Sequence, residues 1–116
     1  NPRYDDIILM DDKKNIIETI SSNIFFAKQL ESKIIFYTPK IKKCGVEGIM
    51  RNKVMQYLVK KDYKLTIKDI VAKDIKNYDY CFITNSIKGL RFVKNVGSKK
   101  FRDPDSLFEL LEIFVM

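Results

Sequence analysis

Histidine is absent from this 116-residue chain, and cysteine occurs only twice. Cys44 and Cys81 lie far apart and form no CxxC pair. A zinc site needs clustered thiolate and imidazole ligands, so no metal is expected. Arginine is scarce as well. Arg3, Arg51, Arg91 and Arg102 are the only four among 22 basic residues. Proteins that read DNA sequence lean on the planar guanidinium fork. No helix-turn-helix, zinc-finger or RNP-like aromatic pattern stands out. The net charge of +7 is therefore read as a solvated, lysine-rich surface, and nucleic acid is not expected as a partner; weak attraction to polyanions is the minor alternative. No stretch approaches the roughly 18 apolar residues of a membrane span, so no membrane partner is expected. No basic-then-apolar leader is visible. With two isolated cysteines, this predicts a reducing, cytoplasmic setting. The chain begins with Asn1 rather than Met, as a processed product or a fragment would.

The residues that are present suit a single soluble domain. Hydrophobic residues make up 46% and charged residues 32%, enough for a core and a solvated surface. "DDIILM" and "NIIETI" predict two strands around a turn at residues 11–15, with Asn15 as the residue that tolerates a left-handed backbone. "NIFFAK" and "KIIFYT" predict two more, separated by the polar residues 29–32. Their apolar runs barely alternate, so both faces of that sheet should be covered. Pro39 ends the strand section. From Gly48 the period changes to a helical one, with Ile49, Met50, Val54, Tyr57 and Leu58 on one face and Arg51 mostly off it. "YKLTI" predicts a further strand, and Thr66 with Asp69 a capping box for a short helix. "YDYCFIT" reads as a buried strand and "GLRFVKNV" as its neighbour. Asp103-Pro104 should open the last helix, whose buried face is "LFELLEIFV". No internal repeat, linker or low-complexity tract interrupts the order.

Three features carry chemistry. In "CGVEGIMRN", Cys44 to Asn52, a loop with two glycines runs into a helix. The first helical N–H groups lack intrahelical partners and the dipole favours an anion. Gly48 would let a phosphate approach the backbone of Ile49 and Met50. The Lys-Ser/Thr pair of a Walker loop is missing. In "ITNS", a strand ends in Thr84, Asn85 and Ser86, all able to offer donors to an anion. Each feature alone is more often a plain loop. Glu18 is the third, a carboxylate inside the apolar run "NIIETISSNIFF". It is either an edge residue facing water or a carboxylate held for a cationic group. Together they suit a ligand with a phosphate at one end and a protonated ring nitrogen at the other, which describes pyridoxal phosphate.

These residues are also familiar in order. "ETISSNIFF" resembles the Glu-x-x-x-x-Asn-aliphatic-Phe segment of the class IV aminotransferase family, the fold type IV pyridoxal-phosphate enzymes. "YTPKIKKCGVEGIMRNKV" resembles the Thr-Pro, loop, Gly-Ile-x-Arg, helix segment. "LTIKDIVAKDIKNYDYCFITNSIKGLRFV" resembles the stretch that follows. Its Thr-Asn-Ser-x-x-Gly ending is closest to the aminodeoxychorismate lyase branch. Branched-chain transaminases tend to carry Gly-Thr-Ala there, and D-amino acid transaminases Ser-Ser-Thr.

The resemblance implies an α/β (α+β) fold: the larger, C-terminal domain of the D-amino acid aminotransferase-like fold, a mixed sheet or pseudo-barrel with flanking helices, spanning 1–116. It implies a cytoplasmic lyase that converts 4-amino-4-deoxychorismate to 4-aminobenzoate and pyruvate for folate synthesis, working as a homodimer. By the same resemblance Glu18 would pair with the pyridine nitrogen. Gly48, Ile49 and Met50 would meet the phosphate, and Asn85 and Ser86 would close its other side. Ser22 and Asn23 would support Glu18, and Arg51 would be structural. The family's Schiff-base lysine lies upstream of the segment resembling "YDDIILM", and Lys13 and Lys14 do not occupy its place. The chain is thus expected to be the C-terminal cofactor-binding portion, lacking the N-terminal domain and the catalytic lysine, and inactive alone. A D-amino acid or branched-chain transaminase is the rival activity. A non-catalytic anion or nucleic-acid binding module is the rival of another class; a steep loss of binding with salt would favour nucleic acid.

Overall fold

A computed structural model describes residues 8–10, 13–19, 22–41 and 48–115, the side chains at 8–10, 17 and 18 excepted. The elements in order are β1 (Ile8–Met10), β2 (Asn15–Thr19), β3 (Asn23–Leu30), β4 (Lys33–Thr38), α1 (Ile49–Lys60), β5 (Lys64–Ile67) and β6 (Ile70–Val71). A 3₁₀ turn (Ala72–Asn77), β7 (Tyr80–Asn85), β8 (Gly89–Phe92), β9 (Asn95–Val96), β10 (Lys99–Lys100), α2 (Asp105–Leu111) and a last 3₁₀ turn (Glu112–Phe114) follow. The expected mixed α/β architecture is present.

The main sheet has the order β5-β4-β3-β7-β8. β4 and β5 run parallel, and α1 makes the crossover between them that a parallel pair requires. The other neighbours in this sheet are antiparallel. A smaller sheet, β1-β2-β6, and the hairpin β9-β10 complete the strands. β3 and β7 are central and carry almost unbroken apolar runs because both their faces are covered. Toward one face, Phe25, Ala27, Phe36, Tyr80 and Phe82 pack with Val54 and Leu58 of α1 and with Leu107 and Leu111 of α2. Toward the other, Ile24, Phe26, Cys81 and Ile83 pack with Ile16 of β2, Ile70 of β6, and Ile75 and Tyr78. Phe25 and Phe82 are register partners and their rings stack at 4.9 Å between centroids. Such a contact adds to burial in fixing which residue faces which.

Four local expectations are corrected. Lys14, not Asn15, takes the left-handed backbone of the first hairpin (φ 63°); Asn15 is already paired with Val71. Thr66 lies inside β5, and the 3₁₀ turn begins only at Ala72, without a side-chain cap. β4 offers β5 a parallel partner, and pairing there overrides the capping pattern. α2 starts one residue later than expected, with Pro104 at the cap position and the Phe108 N–H donating to its carbonyl at 2.7 Å. Arg51, placed off the apolar face, is buried, whereas Ile49 is 66% exposed.

Among the described residues no helix is long and apolar enough to cross a membrane.

Candidate functional site

The chain elements that carry the three motifs meet at one end of the main sheet. β3 begins there, β4 and β7 end there, and α1 starts above it. The antiparallel register sets Asn23 opposite Thr84. Partners across a ladder place their side chains on the same face. Here that is the face shared with Phe25 and Phe82, on which α1 packs. Gly48 closes the group, because a Cβ at that position would overlap the Asn23 side-chain oxygen. So Gly48, Asn23 and Thr84 form a contiguous row, although some thirty-five residues separate "GIM" from "TNS" in sequence.

The surrounding bonds hold this end in place. The Thr38 hydroxyl donates to the Ile24 carbonyl at 2.8 Å. Arg51 Nη2 donates to the Pro39 carbonyl at 3.1 Å, tying the first turn of α1 to the exit of β4. Thr19 donates both its N–H (2.7 Å) and its hydroxyl (3.0 Å) to the Ser22 carbonyl, so β2 turns tightly into β3. That turn leaves Glu18, paired with Leu9 on β1, only five positions from Asn23. The carboxylate of Glu18 lies outside the described atoms, as do residues 42–47 with Cys44 and Gly45.

The cap residue of α1 is Gly48, which has no side chain with which to cap the helix, and the first turn holds no acidic residue. Its early N–H groups and dipole therefore present positive potential uncompensated from within the helix. The buried Arg51 guanidinium adds a full charge within the first turn, and the exposed Lys40 and Lys88 flank the same end of the sheet. The Thr84 hydroxyl is buried and finds no hydrogen-bond partner among the described residues. A phosphate or carboxylate suits such an arrangement, and a cation does not. Among the described residues no group of three or more Cys, Asp or Glu side chains is placed to hold a metal.

The expected residues divide by what their side chains do. Ile49 stands exposed at the helix start, and Met50 packs against the core, so each can offer only its backbone N–H to an anion. The Ser22 carbonyl is engaged in the turn to β2. The Asn85 side-chain oxygen accepts from the N–H groups of Ile87 (2.8 Å) and Lys88 (3.0 Å). This is an Asx-type turn, in which Asn85 shapes the loop between β7 and β8 through that oxygen. Ser86 stays exposed in the loop. Thr84 and Arg51 also bring buried polar groups to this end of the sheet. Strand alternation through "YDYCFITN" could have flagged Thr84 as inward-facing, whereas nothing local marks Arg51 as buried.

Cys81, the second residue of β7, is not a nucleophile in waiting. It is fully enclosed, and burial pushes its thiol well above the ordinary thiol range. The unfolded chain ionises at the ordinary value, so the unfolded state loses protons first as pH rises. Stability from this group is complete below that range and declines as pH rises through it. Peptide mapping after iodoacetamide treatment at pH 8 should find Cys81 unmodified in the native chain and modified in urea. Rapid native labelling would contradict the closed environment.

The family model for amino-transferase class IV matches residues 1–96. The chain is 28% identical over 95 residues to an aminodeoxychorismate lyase of Vibrio harveyi, covering 82% of this chain and 34% of that protein. It is 30% identical over 106 residues to a Rickettsia felis protein named as a probable branched-chain-amino-acid aminotransferase, covering 88% and 34%. The crystal structure of 4-amino-4-deoxychorismate lyase from Pseudomonas aeruginosa superposes with a TM-score of 0.81 at 20% identity, over 97% of this chain and 40% of that one. The chain thus spans about a third of the length of the curated relatives it matches.

Proposed function

The chain belongs to the amino-transferase class IV family, and on that premise we propose that it is the C-terminal, pyridoxal-phosphate-binding portion of an aminodeoxychorismate lyase. The observation that carries the reading is the row Gly48–Asn23–Thr84, which sets a helix N-terminus with a glycine at its cap position beside the turn that ends β7. The residues fit the phosphate end of the cofactor. The backbone N–H groups of Ile49 and Met50, beside Gly48, would hold its oxygens from one side, with the α1 dipole and Arg51 behind them. Ser86 would approach from the other, on the loop that Asn85 shapes. Glu18, at the end of β2, would face the ring nitrogen and keep it protonated. When bound, the cofactor supplies an electron sink for the substrate's carbon chemistry. The chain's own part is to bind, orient and polarise.

The remaining parts lie with the parent protein. We assign the catalytic lysine and the smaller N-terminal domain to the portion that would precede this chain, and a cytoplasmic homodimer as the working assembly. The substrate in this reading is 4-amino-4-deoxychorismate, and the products are 4-aminobenzoate and pyruvate. The Thr84-Asn85-Ser86-x-x-Gly89 ending and the Vibrio relative favour the lyase. The Rickettsia relative keeps a transaminase as the second reading. Product analysis on the parent protein separates them: pyruvate released without an amino acceptor supports the lyase, and a keto acid formed only with an acceptor supports the transaminase.

The chain alone gives a sharper expectation. Incubated with pyridoxal phosphate, reduced with borohydride and digested, it should yield scattered low-level labelling of surface lysines. Amide resonances of Ile49, Met50 and Ser86 should shift together on titration. A single lysine labelled to stoichiometry would overturn the assignment of the lysine to another portion. Shifts confined to one of the two segments would overturn the shared anion site.

A further inference from the structure

We infer that Asn23 is a positioning residue for the anion site: its side-chain amide occupies the space a Cβ on Gly48 would need, and so sets where the N-terminus of α1 stands above the main sheet. The inference rests on the phosphate reading of that N-terminus, and it moves Asn23 from supporting Glu18 to supporting the helix.

Gly48 has φ −89° and ψ 129°, an extended backbone that any residue can adopt. Its lack of a side chain is therefore not a conformational requirement. The requirement is contact. A Cβ there would overlap the Asn23 Oδ1 and stand 3.1 Å from its Cγ. Either the amide or the helix would have to move. The helix is held at two other points. Val54 and Leu58 are wholly buried in the core, and Arg51 bonds the Pro39 carbonyl. The amide sits on the first residue of β3, buried, in register with Thr84, and next to Ile24, whose carbonyl takes the Thr38 hydroxyl. Three points thus locate α1: core packing along its length, Arg51 at its first turn, and Asn23 beneath its cap residue. The last meets the cap residue itself, which immediately precedes Ile49 and Met50. A shift of a fraction of an ångström there re-aims their N–H groups, and hydrogen-bond strength depends steeply on aim.

The test is a double-mutant cycle on the chain, comparing wild type, Gly48→Ala, Asn23→Ala and the pair. Two quantities are read: the melting temperature, and the dissociation constant for pyridoxal phosphate, with inorganic phosphate as a second probe, well below the melting range. Gly48→Ala should weaken binding about tenfold, equivalent to about 1.4 kcal/mol, and lower the melting temperature. Asn23→Ala, which leaves the cap unsupported, should weaken binding several-fold. The pair should regain most of the melting temperature lost in Gly48→Ala, because the new Cβ then enters vacated space. If Gly48→Ala does not fold, a folded double variant makes the same point, and an unfolded one overturns the inference. Additive melting effects overturn the contact. Coupled melting effects with wild-type binding in Asn23→Ala overturn the positioning role and leave packing alone. A wild-type chain that binds neither probe fails the phosphate reading itself, and the positioning role with it, while the melting cycle still reports on the contact.

Discussion

Arg51→Ala should lower the unfolding free energy by about 2–3 kcal/mol, the range for a buried hydrogen bond from a charged donor together with the acceptor left behind. Arg51 is 6% exposed on the first turn of α1 and donates to the Pro39 carbonyl. Alanine removes that bond, strands a carbonyl at the exit of β4, and deletes the packing of the aliphatic stem. Against a total of about 5–15 kcal/mol for a domain of this kind, the loss is large. Arg51→Lys keeps the charge but not the fork, and should recover only part of it. Urea unfolding decides: the midpoint should fall with the slope unchanged. A change under about 0.5 kcal/mol, as for an ordinary surface site, would mean that the guanidinium does not hold the loop to the helix. The same variant should also weaken phosphate binding, since it takes a positive charge from the helix start.

Glu18→Gln in the parent protein should lower kcat by roughly two orders of magnitude, the scale of removing one preorganised electrostatic group. Cofactor affinity should change little. The proposed phosphate contacts come from Ile49, Met50 and Ser86, not from position 18. The amide keeps the shape of the carboxylate but removes the charge that favours a protonated ring nitrogen. Turnover and cofactor dissociation must be measured separately on the same preparation. Wild-type turnover would reduce Glu18 to a strand residue facing water. Equal losses in both quantities would make it a general binding residue instead.

Much of the fold was readable from short-range pattern. The apolar runs at "NIFFAK", "KIIFYT" and "YDYCFIT" are strands β3, β4 and β7, and their lack of alternation anticipated a sheet covered on both faces. The change of period at Gly48 marked α1. The misplacements have a common cause. Thr66 followed by Asp69 carries a real capping signal, but β4 lies alongside as a strand partner and pairing wins. Ile49 continues the apolar face on a helical wheel, but at the first position of α1 it is left 66% exposed while Met50 and Arg51 turn inward.

What the sequence determined by itself is the inventory and its order: strands before the first helix, a glycine at that helix's start, a Thr-Asn-Ser turn after the buried strand, a carboxylate in the second strand, and the family these share. All of it depends on neighbours within a few positions, where propensity and periodicity act. The tertiary structure alone decided which atoms those residues have to spare. Register brought Asn23 beside Thr84 and under Gly48, burial turned Arg51 inward to the Pro39 carbonyl, and the loop after β7 took up the Asn85 side-chain oxygen. The Asn23 and Arg51 contacts join residues twelve to about sixty positions apart, and a one-residue slip of β3 against β7 would carry Asn23 to the other face of the sheet. Local sequence sets the supply of donors and acceptors; long-range register determines which remain for a ligand.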